Sequence, residues 1–344
     1  MYMKILHVSF HVGCINDLTY VFTKLGHSID YENLRPLGFN ITKDIANKYW
    51  DENKDKIQTY DIVITSDTVA LSYIFLLHLN ELVPYLFILN CNRFDYGMYN
   101  EPHFYELLRN VNKHINKITY IPYTTFEQFW CAKHGIYIHE LPIRPIGKWI
   151  ESATFTHKGI IDDFGQINRS MVFEPENQTM FIQTYGNHTQ FMNLSLTLYS
   201  AGISVAYGGY NYFNEIIPFK GLVVLPDAFS KYFVFESIQN QLLVYVPSQK
   251  FLLELISKHK YYFNIEGSGG KLQQELVNLC EWYHWPETRI YFDSFDDLTQ
   301  KIKETTPQIK EEKIKWMKFY GNIIENSELQ KWKVLCDKVV LHRQ

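Results

Sequence analysis

Residues 5–31, "ILHVSFHVGCINDLTYVFTKLGHSIDY", and residues 180–207, "MFIQTYGNHTQFMNLSLTLYSAGISVAY", state one pattern twice. Each is an apolar run, a turn bearing Gly or Asn, a stretch with apolar residues at helical spacing, a Leu-Gly or Ala-Gly stop, and a second apolar run. In the first copy Ile15, Leu18, Val21, Phe22 and Leu25 fall on one helical face, and Gly26 stands where a helix closes with a left-handed residue. Strand, helix, strand is the opening of a parallel sheet, and two openings ask for two sheets.

The grammar continues outward from both copies. In the first half, helical "NITKDIANKYWDENKDKIQ" leads to the strand "YDIVITSD", and helical "VALSYIFLLHLNEL" leads to "YLFILNCNRFD". Helical "PHFYELLRNVNKHI" then precedes "KITYIPYT", and the helix "FEQFWCAKHGI" ends at Gly135. The second half offers strands in "MFIQTYG", "ISVAYGG", "LVVLPDA", "LVYVPS", "YYFNIEG" and "RIYFDS", with helical stretches between them. Strands alternating with helices predict parallel sheets covered on both faces. The fold class expected is therefore α/β, two Rossmann-like doubly wound parallel-sheet domains. "LPIRPIG" at 141–147 punctuates the chain with two prolines, which favour extended backbone. The expected division is an N-terminal domain at 1–148, a connector at 149–178, a C-terminal domain at 179–310, and C-terminal helices at 311–344. In those helices Trp316, Phe319, Tyr320 and Ile323 share a face, which is expected to pack across the domains.

Composition narrows the function. The 344 residues are 46% hydrophobic and 20% charged, enough apolar surface for compact folding, and the usual size of a domain makes two cores the expectation. A formal charge of −4 without a clustered basic face argues against nucleic acid as a partner. The five cysteines, Cys14, Cys91, Cys131, Cys280 and Cys336, are far apart with no C-x-x-C pair, which points to a reducing compartment. The start "MYMKILHVSF" runs straight into a strand pattern without the features of a signal peptide, so cytoplasmic placement is expected. The most apolar region, "VALSYIFLLHLNELVPYLFILNC", is interrupted by His78, Asn80, Glu81 and Pro84, short of a membrane span of about 20 residues. Membrane contact is expected to be peripheral at most.

Open parallel sheets bind ligands beyond the carboxyl ends of their strands, and two such rims facing each other suit a two-part substrate. At this point "KLGHSIDY" (24–31), "FEQFWCAKHGI" (126–136) and above all "VFESIQNQLLVYVPSQKFL" (234–252) carry a resemblance. The chain resembles the GT-B class of nucleotide-sugar-dependent glycosyltransferases, of the family 1 and 4 kind. The ending "SFDDLTQKIKE" with its tryptophan-bearing helices is similar to the usual ending of that class. The resemblance implies an acceptor-binding N-terminal domain and a C-terminal domain that holds the activated sugar. It places Glu236 at the carboxylate that grips the donor ribose, with Ser237 and Ser248 in the same segment. Retaining members carry a second acid eight positions earlier. Here that position is Ala228, with Asp227 one residue away, which favours an inverting course.

The chemistry implied asks for further groups. Charge builds on the diphosphate as the bond to the sugar breaks, and helix N-termini with Lys or Arg answer it. Gly186 in "YGNH", Gly208 and Gly209 in "YGGY", Lys271 after Gly-Gly, and Lys231 before the Glu236 helix are the candidates, Lys231 first among them. The acceptor hydroxyl needs a base at the carboxyl end of an N-terminal strand. Asp95 and His11 rank ahead of Asp67, whose bland alternative is an N-cap of the next helix. Gly13 allows close backbone approach, and Arg93 and Tyr96 lie in an aromatic loop suited to an acceptor. The His residues are scattered and no D-x-D stands at a strand end, so transfer without a metal or other cofactor is expected. The partners expected are a nucleotide-diphosphate sugar and a glycan or glycoconjugate acceptor. A nucleotide-sugar epimerase of the same fold and a non-catalytic sugar-binding protein remain alternatives.

Overall fold

The computed structural model describes residues 2–34, 41–94, 101, 103–110, 116–138, 140–148, 179–183, 189–208, 213, 216–263 and 274–342. In the first half β1 (Lys4–Ser9), α1 (Val12–Lys24), β2 (Ser28–Asn33), α2 (Lys43–Ile57), β3 (Ile62–Thr68), α3 (Tyr73–Leu77), β4 (Leu86–Arg93), α4 (Phe104–Asn110), β5 (Ile118–Pro122) and α5 (Thr125–Lys133) follow one another. The second half runs β6 (Met180–Gln183), α6 (Thr189–Ser200), β7 (Val205–Gly208), β8 (Gly221–Val224), α7 (Tyr232–Gln239), β9 (Val244–Pro247), α8 (Gln249–His259), α9 (Gln274–Val277), β10 (Arg289–Phe292) and α10 (Phe295–Glu304). A final helix, α11 (Pro307–His342), closes the chain.

The strands form two five-stranded sheets, ordered β2-β1-β3-β4-β5 and β7-β6-β8-β9-β10, with every pair parallel. The two orders are the same. Each sheet starts in its middle, winds outward one way, then reverses, so β1 with β3 and β6 with β8 flank a topological switch point. Both lobes are Rossmann-like. Local chemistry sets the helix ends: Thr42, Thr124, Ser248 and Ser294 each accept a hydrogen bond from a first-turn N–H. Gly26 and Gly135, at φ +80° and +71°, supply the left-handed residues that close α1 and α5.

The first sheet is covered on both faces. Ile5, Ile62, Ile64, Leu86 and Ile88 lie beneath Leu18, Val21 and Phe22 of α1. Leu6, Val63, Phe87 and Leu89 meet Trp50 of α2 and Ile74 and Phe75 of α3 on the other side. The same buried cluster continues into the second lobe around β6, β8 and β9, with Phe191, Leu194 and Leu198 of α6.

Three elements differ from expectation. The C-terminal segment is one helix of 36 residues, and its apolar face is not the one expected. Met317, Ile324, Trp332, Leu335, Cys336 and Val339 are buried, whereas Phe319 and Ile323 are 52% and 47% exposed. The seam follows i, i+7 and i+8 over a length that aromatic clustering alone does not disclose. Its first half packs on the second lobe and its second half on the first, where Trp332 meets Phe22 edge-on at 5.2 Å. Ion pairs fix the register: Glu325 takes Lys148, Glu328 takes Lys331 and the backbone N–H of Arg144, and Lys338 takes Glu140. Tyr261–Phe263 does not join the sheet: Lys260 closes α8 at φ +52°, and the turn sends the rings of Tyr261 and Phe263 into the core. The helix expected over "VALSYIFLLHLNEL" is a 3-10 turn, Val69–Ser72, followed by the short α3.

Candidate functional site

Along the first sheet, chemistry changes with height. On the face toward α1, β1 reads Ile5, His7, Ser9, β3 reads Ile62, Ile64, Ser66, and β4 reads Leu86, Ile88, Asn90, apolar at the base and polar toward the carboxyl ends. Asn90 donates to Ile121 O, and the other three bond to one another. Ser66 Oγ donates to Ser9 Oγ at 3.0 Å, and His7 Nε2 lies 2.7 Å from Ser66 Oγ. Ser9 Oγ also accepts the backbone N–H of His11 at 3.3 Å. Burial lowers the pKa of His7 to about 3, so its imidazole is neutral and holds the loop after β1 by hydrogen bonding rather than by charge.

That loop meets the second lobe. His11, exposed at the N-cap position of α1, stacks on Tyr232 with ring centroids 5.3 Å apart. A Cβ on Gly13 would come within 3.0 Å of the His11 ring and 3.2 Å of the Tyr232 ring, so glycine is what lets the three approach. Tyr232 and Tyr123 join hydroxyls at 3.0 Å, Tyr123 reaches Cys14 Sγ at 3.6 Å, and Phe126 stacks on Phe229 at 3.5 Å. His11, Gly13 and Cys14 follow β1, Tyr123 and Phe126 follow β5, and Phe229 and Tyr232 follow β8. The carboxyl ends of the two sheets therefore face each other. That is the GT-B arrangement.

Asp67 stands at the end of β3, buried, where the ladder to β4 slips between Asp67 and Thr68. Its φ is +75°, a left-handed conformation that costs a non-glycine residue about 1–3 kcal/mol and that clusters at functional sites. It is not an N-cap. Thr68 holds that position in the following turn. The Asp67 charge adds to burial in raising the pKa of both Cys14 and Tyr123, which sets it beside the His11 loop.

In the second lobe Glu236 lies in α7, partly buried, at the joint where α7 meets the extended segment 140–148 that α1 anchors. Gly147, at φ +80°, packs so closely that a Cβ would stand 2.6 Å from the backbone N of Glu236 and the carbonyl carbon of Phe235. The segment is anchored by Asp17 of α1, whose Oδ1 accepts the N–H groups of Ile146 and Gly147 at 2.9 and 2.8 Å. Burial raises Asp17 to about 7 despite those bonds. Burial, with the Asp17 charge second, raises Glu236 to about 8.

The other expected residues are distributed as follows. Lys231 is at the N-cap position of α7, its ammonium in an ion pair with Asp227 at 2.6 Å. Ser237 donates to Val234 O inside α7, and Ser248 caps α8 while donating to Asp293 at 2.5 Å, so both hydroxyls serve local structure. Gly208 ends β7, and Arg93 ends β4 opposite Thr68. Asp95, Tyr96, Gly186, Gly209 and Lys271 lie outside the described residues. Sequence reading missed Asp17, Tyr123, Tyr232 and Gly147. Asp17 carried a signal: it is an acid on the same helical stripe as Cys14, Leu18 and Val21. Among the described residues no group of three or more His, Cys, Asp and Glu is placed to hold a metal, and no helix is long and apolar enough to cross a membrane.

No family model and no curated protein matches the chain. Among solved structures it is similar to a glycosyltransferase from Rickettsia africae ESF-5, at 13% identity over 98% of this chain and 99% of that one, TM-score 0.49. It is also similar to the UDP-GlcNAc 2-epimerase from Neisseria meningitidis bound to UDP-GlcNAc, at 10% identity over 98% and 100%, TM-score 0.48. A third is the spinosyn rhamnosyltransferase SpnG complexed with thymidine diphosphate, at 10% identity over 92% and 95%, TM-score 0.39.

Proposed function

We propose that the chain is a glycosyltransferase that moves a sugar from a nucleoside diphosphate to a hydroxyl of a glycan or other acceptor. One observation supports the reading: the strand ends of both sheets face each other where His11 stacks on Tyr232, one turn before Glu236 on α7, with the strained Asp67 beside the His11 loop. On this reading Glu236 takes the vicinal hydroxyls of the donor ribose. Its carboxyl, held near 8, can donate one hydrogen bond and accept another. The N-terminal end of α7 and Lys231, once released from Asp227, oppose the charge that grows on the departing diphosphate. His11 is the first candidate base for the acceptor hydroxyl, with Asp67 and Asp95 the others. A base on the wall across from the donor fits an inverting course. Ala228, where a second acid would stand, fits it too.

Thermal unfolding with UDP, GDP, ADP and dTDP tests the donor site. A nucleotide present at 100 times its Kd stabilises the fold by about 2.7 kcal/mol, and no shift with any of the four removes the reading. A second reading has one observation of its own. Asp17 and Glu236 are carboxyls held near neutrality side by side, which is the equipment of acid and base catalysis on a single sugar. A nucleotide-sugar epimerase changes its donor without an acceptor, whereas the transferase proposed leaves the sugar's configuration unaltered until an acceptor is added.

A further inference from the structure

The side chain of His11 is not held by the helix it precedes. It is exposed at the N-cap position of α1 and makes no capping hydrogen bond. An exposed imidazole turns about two χ angles, whereas a base works only while its nitrogen stays within hydrogen-bond reach of the hydroxyl it deprotonates. The restraint comes from the other lobe. Tyr232, in the first turn of α7, stacks on the His11 ring with centroids 5.3 Å apart and planes 29° apart. Tyr232 is in turn fixed by the first lobe: it is 8% exposed, its hydroxyl meets that of Tyr123 at 3.0 Å, and the Tyr123 ring stands edge-on to it at 5.8 Å. Burial pushes both phenols well above the ordinary phenol range, so they pair as neutral hydroxyls. Tyr123 also donates to Cys14 Sγ at 3.6 Å. The contacts therefore leave α1 at His11 and return to it at Cys14, one turn along.

We propose that Tyr232 is a positioning residue, whose ring reaches across from the second lobe and sets the His11 imidazole in the orientation in which it accepts the proton of the acceptor hydroxyl. The proposal rests on His11 being the base of the proposed transfer. A Cβ at Gly13 would stand 3.0 Å from His11 Cε1 and 3.1 Å from Nδ1, so that edge of the imidazole lies over α1 and Nε2 is the nitrogen left to meet the hydroxyl. The helix that carries Tyr232 also carries Glu236 and has Lys231 at its N-cap position, so one element holds the donor and aims the base. Two lobes that part would lose both at once.

Variants at Tyr232, alone and with His11→Ala, test the proposal in the full chain. Turnover is read as nucleoside diphosphate released from UDP-, GDP-, ADP- and dTDP-glucose, with a panel of p-nitrophenyl glycosides as acceptors. Tyr232→Leu is expected to lower kcat by roughly 10–100-fold, the cost of a misplaced group, while the Kd for nucleoside diphosphate moves by less than about 3-fold. Tyr232→Phe keeps the ring and restores most of the rate. With His11→Ala already present, Tyr232→Leu costs less than about 3-fold more, because the ring then has no base to aim. A second readout needs no turnover: the Cε1–H resonance of His11, assigned by its loss in His11→Ala, shifts in Tyr232→Leu as the ring current is withdrawn and stays in place in Tyr232→Phe. Tyr232→Met repeats both comparisons if the leucine variant does not fold. An equal loss of rate with and without His11, a loss in Tyr232→Phe as deep as in Tyr232→Leu, or an unmoved His11 resonance overturns the proposal. A wild type that releases no diphosphate from any donor removes the transferase reading and the proposal with it, a failure seen before any variant is compared and so distinct from the others.

Discussion

The two lobes share a strand order and differ in what their strands carry to the rim. The first sheet has strands of five to eight residues whose upper ends hold Ser9, Ser66, Asp67, Thr68 and Asn90. The second has four-residue strands, and β8, its centre, and β9 beside it read "GLVV" and "VYVP" without one charged or hydroxylic side chain apart from Tyr245. Topology dictates where a ligand goes, while the side chains at the strand ends decide what happens to it. On the proposed reading the first lobe would supply the proton acceptor, and the second, with the end of α7, the Lys231–Asp227 pair and Glu236, would hold the donor.

Variants that separate turnover from binding test that division most severely. His11→Ala is expected to lower kcat by roughly 10²–10⁴-fold, the usual worth of a general base, while nucleoside diphosphate still raises the melting temperature. Asp67→Asn shows whether the strained acid shares that task. Loss of nucleotide binding in His11→Ala would erase the contrast between the lobes.

Gly147→Ala follows in size. A left-handed φ and a 2.6 Å approach to the α7 backbone together predict a loss of about 2–4 kcal/mol in chemical denaturation, because neither the turn nor the helix can give way. The joint between the lobes would then be shown to be tight rather than a loose tether. A cost under about 0.5 kcal/mol, the range of an ordinary surface change, would show the opposite.

Glu236→Ala is expected to weaken nucleotide-diphosphate binding by about 1–3 kcal/mol, the worth of two hydrogen bonds to a neutral carboxyl, with little change in turnover at saturating donor. Calorimetric titration with the nucleotide that stabilises the wild type measures it. A fall in kcat at unchanged affinity would move Glu236 from grip to chemistry and favour the epimerase.

The coupled carboxyls give a pH signature. Folded Asp17 keeps its proton to about pH 7, whereas the unfolded chain releases it near 3.8, so folding loses stability as pH rises between those values. Asp17→Asn, which keeps the acceptor for Ile146 and Gly147, is expected to gain stability over the wild type at pH 8 and to match it at pH 4. A difference that does not change with pH would mean that Asp17 is ionised in its place beside Glu236.

The smallest effect concerns how helices end. The first lobe closes α1 and α5 with Gly26 and Gly135, whereas the second places Gln241 and Lys260 at φ +57° and +52° after α7 and α8. Gln241→Gly is expected to raise stability by about 1 kcal/mol, the strain of one left-handed residue, and a loss instead would mean that its side chain is needed.

Much of this was legible in the residues. Both βαβ openings, all five strands of the first sheet, the glycine stops and the positions of His11 before a helix and Glu236 on one follow from spacing alone, because hydrophobic periodicity and backbone preference are local; Gly13, expected in the loop, lies in the first turn of α1. The sequence also named Asp67 as a candidate base, ranked below Asp95 and His11 because an Asp before a helix is usually a cap. Its left-handed backbone coincides with the slip between β3 and β4, which spacing does not disclose. The buried face of α11 was out of reach for a similar reason: the cluster of Trp316, Phe319, Tyr320 and Ile323 is more aromatic, but the seam that pays in buried area is the one that two separate lobes present together. Asp17 beside Glu236, Tyr123 against Tyr232 and Gly147 against α7 each join residues more than eighty positions apart. Local sequence determined the elements and the chemistry each carries, and only tertiary packing decided which of them meet, because burial, close approach and shifted ionisation belong to neighbours in space.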